Sequence, residues 1–517
     1  MSSHVSKSPK GMNQIQDFLI AFLLCASSLL FLFSIPSASY ASAYSTNLVL
    51  ASSDPSVQTL SPPRMVFVAS LASLQPSSYH QPQATPNLGT INAARGTDTG
   101  LSNQLSTQAT QPSPDKKISV LQEITGLDEN QGGLYPPDVQ SATGNTDVVE
   151  VINAAVEIWY TNGTLVKELS LSSFLGTSDF IGDPRIEYDF LSGHFFMSVA
   201  DFYNNEVWIA TTKTWDPTGT WYIYVLSTTS NSNAFTDQPT MGLSKDKLAI
   251  SANIYLNGGV SSYFFAINKQ DLISGSSNPH YASEQSSDFS VHPVHNYSSE
   301  KTMYFVSDQA GGVSSIDLFD LTGLPGVSKV HVSVTTLSIA FAREPPNAPQ
   351  KGTSSLINVD DGRMQDAAFY KGTIWLTFED GCVPKHDNSE RSCARLIELN
   401  VTKPSVEQDF DLAKSGVYYY YPALSFTGNA GMIVVFGFSN STTYPSIAVS
   451  GQSVTQGAGT WKPPVTVLLG QYYDADGRYG DYFSAQMDPV HHSIVWVAGQ
   501  YEVQDSSWGT EIASVKL

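Results

Sequence analysis

Gly182-Asp183-Pro184-Arg185-Ile186-Glu187-Tyr188-Asp189 passes through a short turn into the apolar run Phe195-Phe196-Met197-Ser198-Val199-Ala200. Near the other end, Gly480-Asp481-Tyr482-Phe483-Ser484-Ala485-Gln486-Met487-Asp488-Pro489 leads likewise into Ile494-Val495-Trp496-Val497-Ala498. A small sheet opening on an Asp or Pro cannot bury both of its faces alone, so units of this kind stack on one another. Further openings stand at Pro137-Asp138, Asp237-Gln238-Pro239, Asp288 to Pro293, Gln365-Asp366 and Tyr421-Pro422. From Asp138 to Asp481 they recur about every 57 residues, slightly above the ~40–50 of the usual propeller unit. The sequence therefore predicts an all-β fold, a β-propeller of seven blades. Six blades is the alternative, should the fourth and fifth openings be misassigned. Arg343-Glu344-Pro345-Pro346-Asn347-Ala348-Pro349, inside the longest interval, reads as an inserted surface loop.

After the openings come runs such as Val207-Trp208-Ile209-Ala210 and Met432-Ile433-Val434-Val435-Phe436, separated by turn signals at Asn162-Gly163, Asp216-Pro217-Thr218-Gly219, Asn257-Gly258-Gly259 and Asp361-Gly362. The last unit supplies strands near Asp481–Met487, Ile494–Gly499 and Thr510–Leu517, and then the chain ends. Ile118 to Ile124, just before the first unit, is predicted to be its fourth strand. Pairing the N- and C-terminal strands removes an open sheet edge and closes the ring.

Outside the ring the chain reads differently. Lys7 and Lys10 precede an apolar run from Phe18 to Ile35, and Ala41-Ser42-Ala43 offers a cleavage site. Residues 1–43 are thus expected to be a signal peptide, or an uncleaved anchor. Residues 44–117, rich in Ser, Thr, Gln and Pro, are expected to form a disordered spacer, with the propeller spanning 118–517. Export agrees with Cys382 and Cys393, which bracket a polar loop and suit a disulfide, and with sequons at Asn162, Asn296, Asn400 and Asn440. The expected location is secreted or on the cell surface. A net charge of −21 argues against nucleic acid as a partner. The expectation is a monomer, with no membrane span beyond the N-terminal segment.

If the blade plan holds, Asp138, Asp183, Asp237, Asp366 and Asp481 begin inner strands and gather at one mouth of the central channel. A ring of carboxylates there suits Ca²⁺ or acid–base work on a sugar. The same residues equally suit hydrogen bonds to backbone N–H groups at the turns between blades. Arg185, Arg363 and Arg478 follow similar positions and would either clamp a carboxylated ligand or balance those Asp residues. Asp474 and Asp476, with Asp481, resemble a fragment of a Ca²⁺ loop that lacks its distal Glu, and also an ordinary turn. Tyr418 to Tyr421 reads as core packing or as a carbohydrate platform.

Tyr135-Pro136-Pro137-Asp138, Asp183-Pro184-Arg185, Asp216-Pro217-Thr218-Gly219-Thr220-Trp221, Arg478-Tyr479-Gly480-Asp481-Tyr482 and Trp508-Gly509-Thr510 together resemble a group of secreted bacterial and archaeal β-propellers, loosely sialidase-like in fold. The resemblance covers residues 130–517. Most of that group lacks an established activity, so it implies fold and location more than chemistry. A sialidase-type site would use the three Arg residues as a clamp, Tyr421 or Tyr482 as nucleophile, and Glu187 or Asp183 as acid. The chain has no Arg-Ile-Pro motif and no intact Ser-x-Asp-x-Gly-x-x-Trp box. Three functions follow as expectations. The first is a non-catalytic exported propeller binding a glycan, a peptide or a cell-envelope protein through loops at one mouth. The others are an extracellular glycoside hydrolase and a calcium-stabilised surface protein.

Overall fold

A computed structural model describes residues 63–71, 74, 107–108 and 117–517, apart from 309–311, 455–456, 476 and 504–506. Seven blades surround a channel. Their innermost strands are Gln140–Thr143, Ile181–Asp189, Phe235–Leu243, His292–Pro293, Met364–Tyr370, Tyr418–Phe426 and Ser484–Met487, for blades 1 to 7 in chain order. Both doubtful openings lead into blades, so the six-blade alternative falls. Blade 4 carries an irregularity: its inner strand stops at Pro293, and His295–Asn296 crosses over to pair in parallel with Met364–Tyr370 of blade 5.

The ring closes as the sequence predicts. Ser119–Asp128 pairs antiparallel with Trp508–Lys516, with Ile124 opposite Ile512, and completes blade 7. The closure is also clamped by polar groups. The buried Glu150 carboxylate of blade 1 accepts from Leu127 N–H at 3.1 Å and from the Thr510 hydroxyl.

Neighbouring blades meet through apolar side chains on both faces of each sheet. Between blades 2 and 3, for example, Ile209, Leu226, Met241, Ile250 and Phe265 are wholly or almost wholly buried. Each such side chain contributes about 1.5–3 kcal/mol relative to leaving it in water. Turn chemistry sets the hairpins. Asp216 Oδ1 accepts from the N–H and hydroxyl of Thr218, and Trp221 Nε1 donates to Pro217 O at 2.8 Å. That is the physical content of Asp216-Pro217-Thr218-Gly219-Thr220-Trp221: a side chain closes the turn and the indole caps it.

Two stretches read as spacer form strands. Arg64–Ser70 adds a fifth, outermost strand to blade 2, antiparallel to Thr220–Ser227, and Thr107–Gln108 lies along the outer edge of blade 5. The remainder of 44–117, and all of 1–43, lies outside the described residues. Cys382 and Cys393, at facing ends of adjacent strands of blade 5, form the expected disulfide. Short loops of this kind gain up to about 3 kcal/mol. No helix among the described residues is long and apolar enough to cross a membrane.

Candidate functional site at the acidic mouth

Inner strands begin with a backbone twist. Asp138, Asp183, Gln238, Ser290 and Tyr421 all have φ between +47° and +56°, a region that non-glycine residues occupy only when surrounding bonds hold them there. Those bonds are visible. Asp138 Oδ1 accepts from Asp481 N–H at 2.9 Å, and its Oδ2 accepts from the Asn153 amide at 2.8 Å. Asn153 Oδ1 in turn accepts from Asp183 N–H, and Asp183 Oδ2 accepts from Gln238 N–H at 2.9 Å. Gln238 Oε1 accepts from Arg363, whose guanidinium also binds Asp361 at 2.8 and 2.9 Å and Asp360 at 3.0 Å. Arg478 forks onto Asp481. A hydrogen-bonded belt thus runs from blade 7 through blades 1, 2 and 3 to the loop opening blade 5.

The belt is short of positive charge. Asp138, Asp183, Asp237, Asp360, Asp361 and Asp481 face Arg363 and Arg478. Burial first, and then the Asp481 charge, push Asp138 up to about 7. Burial likewise takes Asp360 up to about 7, with Asp361 and Asp481 adding to it and Arg363 opposing. Asp183 is raised well above the usual carboxylate range by burial and by Asp237. At neutral pH the mouth therefore holds some of its carboxyl groups protonated.

Four of the five expected carboxylates, Asp138, Asp183, Asp237 and Asp481, interact at this mouth, with Arg363 and Arg478. Asp366 does not join them. The inner strands of blades 2, 3, 5 and 6 all carry a β-bulge, but Asp183 lies within its bulge and Asp237 before it, whereas Asp366 follows it; its carboxylate accepts from Leu424 N–H at 2.8 Å and Ala367 N–H inside the channel. Arg185 is there too, its guanidinium 3.4 Å above the Tyr482 ring. Glu187 is paired with His295. These residues line a channel cavity of about 40 Å³. Arg185 is thus stacked on Tyr482 in the channel, while Arg363 and Arg478 are held on carboxylates at the mouth. Tyr419, Tyr420 and Tyr421 are buried core, so the tyrosine run is no exposed platform.

Asp474 Oδ1 closes its own turn onto Gly477 N–H, Asp481 is bound to Arg478, and Asp476 lies outside the described residues. Among the described residues no group of three or more His, Cys, Asp or Glu is placed to hold a metal ion.

Asp360, Asp361 and the buried Glu379 behind them were missed from sequence; Asp360-Asp361-Gly362-Arg363 carried only a turn signal. Also missed was a cleft of about 560 Å³ lined by Tyr297, Tyr304, Phe369, Tyr370, Lys371 and His492. It lies at the opposite end of the inner strands, and its residues come from loops far apart in the chain.

No protein-family description matches the chain, and no curated protein does. Solved structures do. NanB bound to optactamide aligns at 9% identity over 72% of this chain and 83% of its own, with a TM-score of 0.36. A Hadza microbial sialidase gives 10%, 74%, 75% and 0.34. An ulvan lyase, a polysaccharide lyase, gives 9%, 77%, 94% and 0.36. At such identities and scores the likeness says nothing of activity, and the propeller stands on its own strand pairing.

Proposed function

We propose that the chain is an exported, non-catalytic propeller that binds a glycan at the acidic mouth. The observation that carries the non-catalytic reading is that the groups a hydrolase would need are already engaged. The Tyr421 hydroxyl donates to Asn358 O at 2.8 Å, and the Tyr482 hydroxyl donates to Pro184 O at 3.0 Å beneath Arg185. Glu187 is committed to His295, and Arg363 and Arg478 are each closed on carboxylates. What remains at the mouth is a fixed array of acceptors and donors, which suits hydroxyl groups better than bond cleavage. The Cys382–Cys393 bond supports an oxidising compartment.

A glycan array probed with the full chain, alongside fluorogenic sialoside and glycoside assays, tests this reading. Binding without turnover is expected. Turnover that Asp360→Asn abolishes would establish the second reading, a hydrolase, which the neutral-range Asp138 and Asp360 favour. Capture of peptides in place of glycans would overturn the choice of ligand.

A further inference from the structure

Beside the acidic mouth, five aromatic rings stand in a row. Tyr203 and Phe180 lie 5.8 Å apart between ring centres, Phe180 and Phe202 5.3 Å, Phe202 and Phe235 5.9 Å, and Phe235 and Tyr255 6.4 Å. Phe180 precedes the inner strand of blade 2, and Phe202 and Tyr203 lie in the hairpin after His194–Asp201. Phe235 and Tyr255 are cross-strand partners at the opening of blade 3. Tyr203 is 70% exposed and the other four are half-buried. A core would have hidden such a row; here one edge of it meets solvent.

Its inner end is charged. Phe235 stands two residues before Asp237, and Tyr255 lies within the fields of Arg363, Asp237, Asp361 and Asp360. Behind them the fully buried Glu379 accepts from Tyr421 N–H through Oε1, while its Oε2 meets no donor outside its own residue. The aromatic row therefore leads to Asp237, Asp360 and Asp361, three acidic side chains beside the single Arg363, with Glu379 behind them raised well above the usual carboxylate range by burial.

We propose that Tyr203, Phe180, Phe202, Phe235 and Tyr255 form the stacking track for an amino-sugar polysaccharide, whose free amines are drawn to Asp237, Asp360 and Asp361. This rests on the glycan reading above and names its substrate class. Sugar rings lay their apolar C–H faces on aromatic rings, and ammonium groups are attracted both by carboxylates and by the π face. Polyuronates would meet like charge, which penalises the wrong partner.

Calorimetry with the full chain compares three probes: β-1,4-linked glucosamine oligosaccharide, its N-acetylated counterpart, and an oligogalacturonate. The free-amine form is expected to bind about fivefold or more tighter than the acetylated form at pH 7, with the advantage shrinking in salt. The uronate is expected not to bind. Tyr203→Ala, at an exposed position, should weaken the free-amine form several-fold, and Asp361→Asn should lower the ratio of free-amine to acetylated binding. Equal binding of acetylated and free-amine forms, or binding that Tyr203→Ala leaves intact, overturns the proposal while the glycan reading stands. If no glycan binds at all, both fall.

Discussion

Asp138 and Asp481, 343 residues apart in sequence, are joined by a single hydrogen bond of 2.9 Å from the Asp481 backbone to the Asp138 carboxylate. It links the first blade to the last on the channel side, as the strand pairing does on the outside. The carboxylate is almost wholly buried and sits about 7 in the folded chain against 3.8 for the free group. A raised carboxyl pKa means that the folded state holds the proton more tightly than the unfolded one. Stability contributed by the protonated form is then full below about pH 4 and is lost as pH rises through about 7. Asp360, Glu150 and Glu511, each pushed up to about 7 mainly by burial, act in the same direction. The melting temperature is therefore expected to fall between pH 5 and pH 8, and Asp138→Asn to flatten that fall. A melting temperature that climbs over this range would show these carboxyls to be ionised and compensated.

Closure of the ring depends on a glycine. A Cβ on Gly126 would stand 2.3 Å from Glu150 Oε2 and 2.6 Å from the Thr510 hydroxyl. Gly126→Ala must either displace the closing strand or break the Glu150 clamp. An overpacked site of this kind costs about 1–3 kcal/mol, and the loss should appear in denaturant unfolding. Glu150→Gln keeps the shape and removes the buried charge, so it should cost less, or stabilise above pH 7. If Gly126→Ala matches the parent midpoint, the strand is not clamped as described.

The four sequons are not equivalent. Asn162 is exposed in a turn, whereas Asn296 is buried; the Asn296 side chain donates to Glu300 O at 2.9 Å and accepts from Ser298. A glycan on Asn296 would have to break the crossing from blade 4 to blade 5. Expressed in a glycosylating host and mapped by mass spectrometry, the chain is expected to be modifiable at Asn162 and unmodified at Asn296. Occupancy at Asn296 would show that the crossing forms only after modification, or not at all.

The ring was readable because its signals are local: an Asp before an inner strand, a turn, an apolar run. The closing strand was readable for a different reason, since the last unit visibly lacked one. Asp366 was misplaced because it follows the bulge of its inner strand, where Asp183 lies within and Asp237 before theirs, a difference in register that the residue pattern does not mark. Arg64–Ser70 showed only as a short apolar interruption, Met65 to Leu74, because its partner, Thr220–Ser227, lies some 150 residues away and its flanks look like spacer. The aromatic row was equally hidden. Its rings come from four separate segments, and only the docking of blade 2 on blade 3 aligns them.

Arg395 shows how a charge can hide within a strand that reads as apolar. Its side chain is fully buried in blade 5, donating from Nε to Asp409 at 2.6 Å, from one terminal nitrogen to Asp380 at 2.6 Å, and from the other to Ala340 O at 3.0 Å. Asp411 lies 3.5 Å away. Asp380 and Asp409 also accept from the N–H groups of Arg343 and Ala340, so the guanidinium holds the inserted loop onto the blade. Arg395→Ala would leave two buried carboxylates, Asp380 and Asp411, and the half-buried Asp409 without their cation, at a cost of about 3–5 kcal/mol. Arg395→Lys cannot reproduce the planar fork and should fall between. Because the stranded carboxylates can take up protons, the alanine variant is expected to regain part of its stability at pH 5, and protease cutting near 343–349 should rise at pH 8 and fall again at pH 5. Equal losses at both pH values would mean that Arg395 acts through packing and not through its charge.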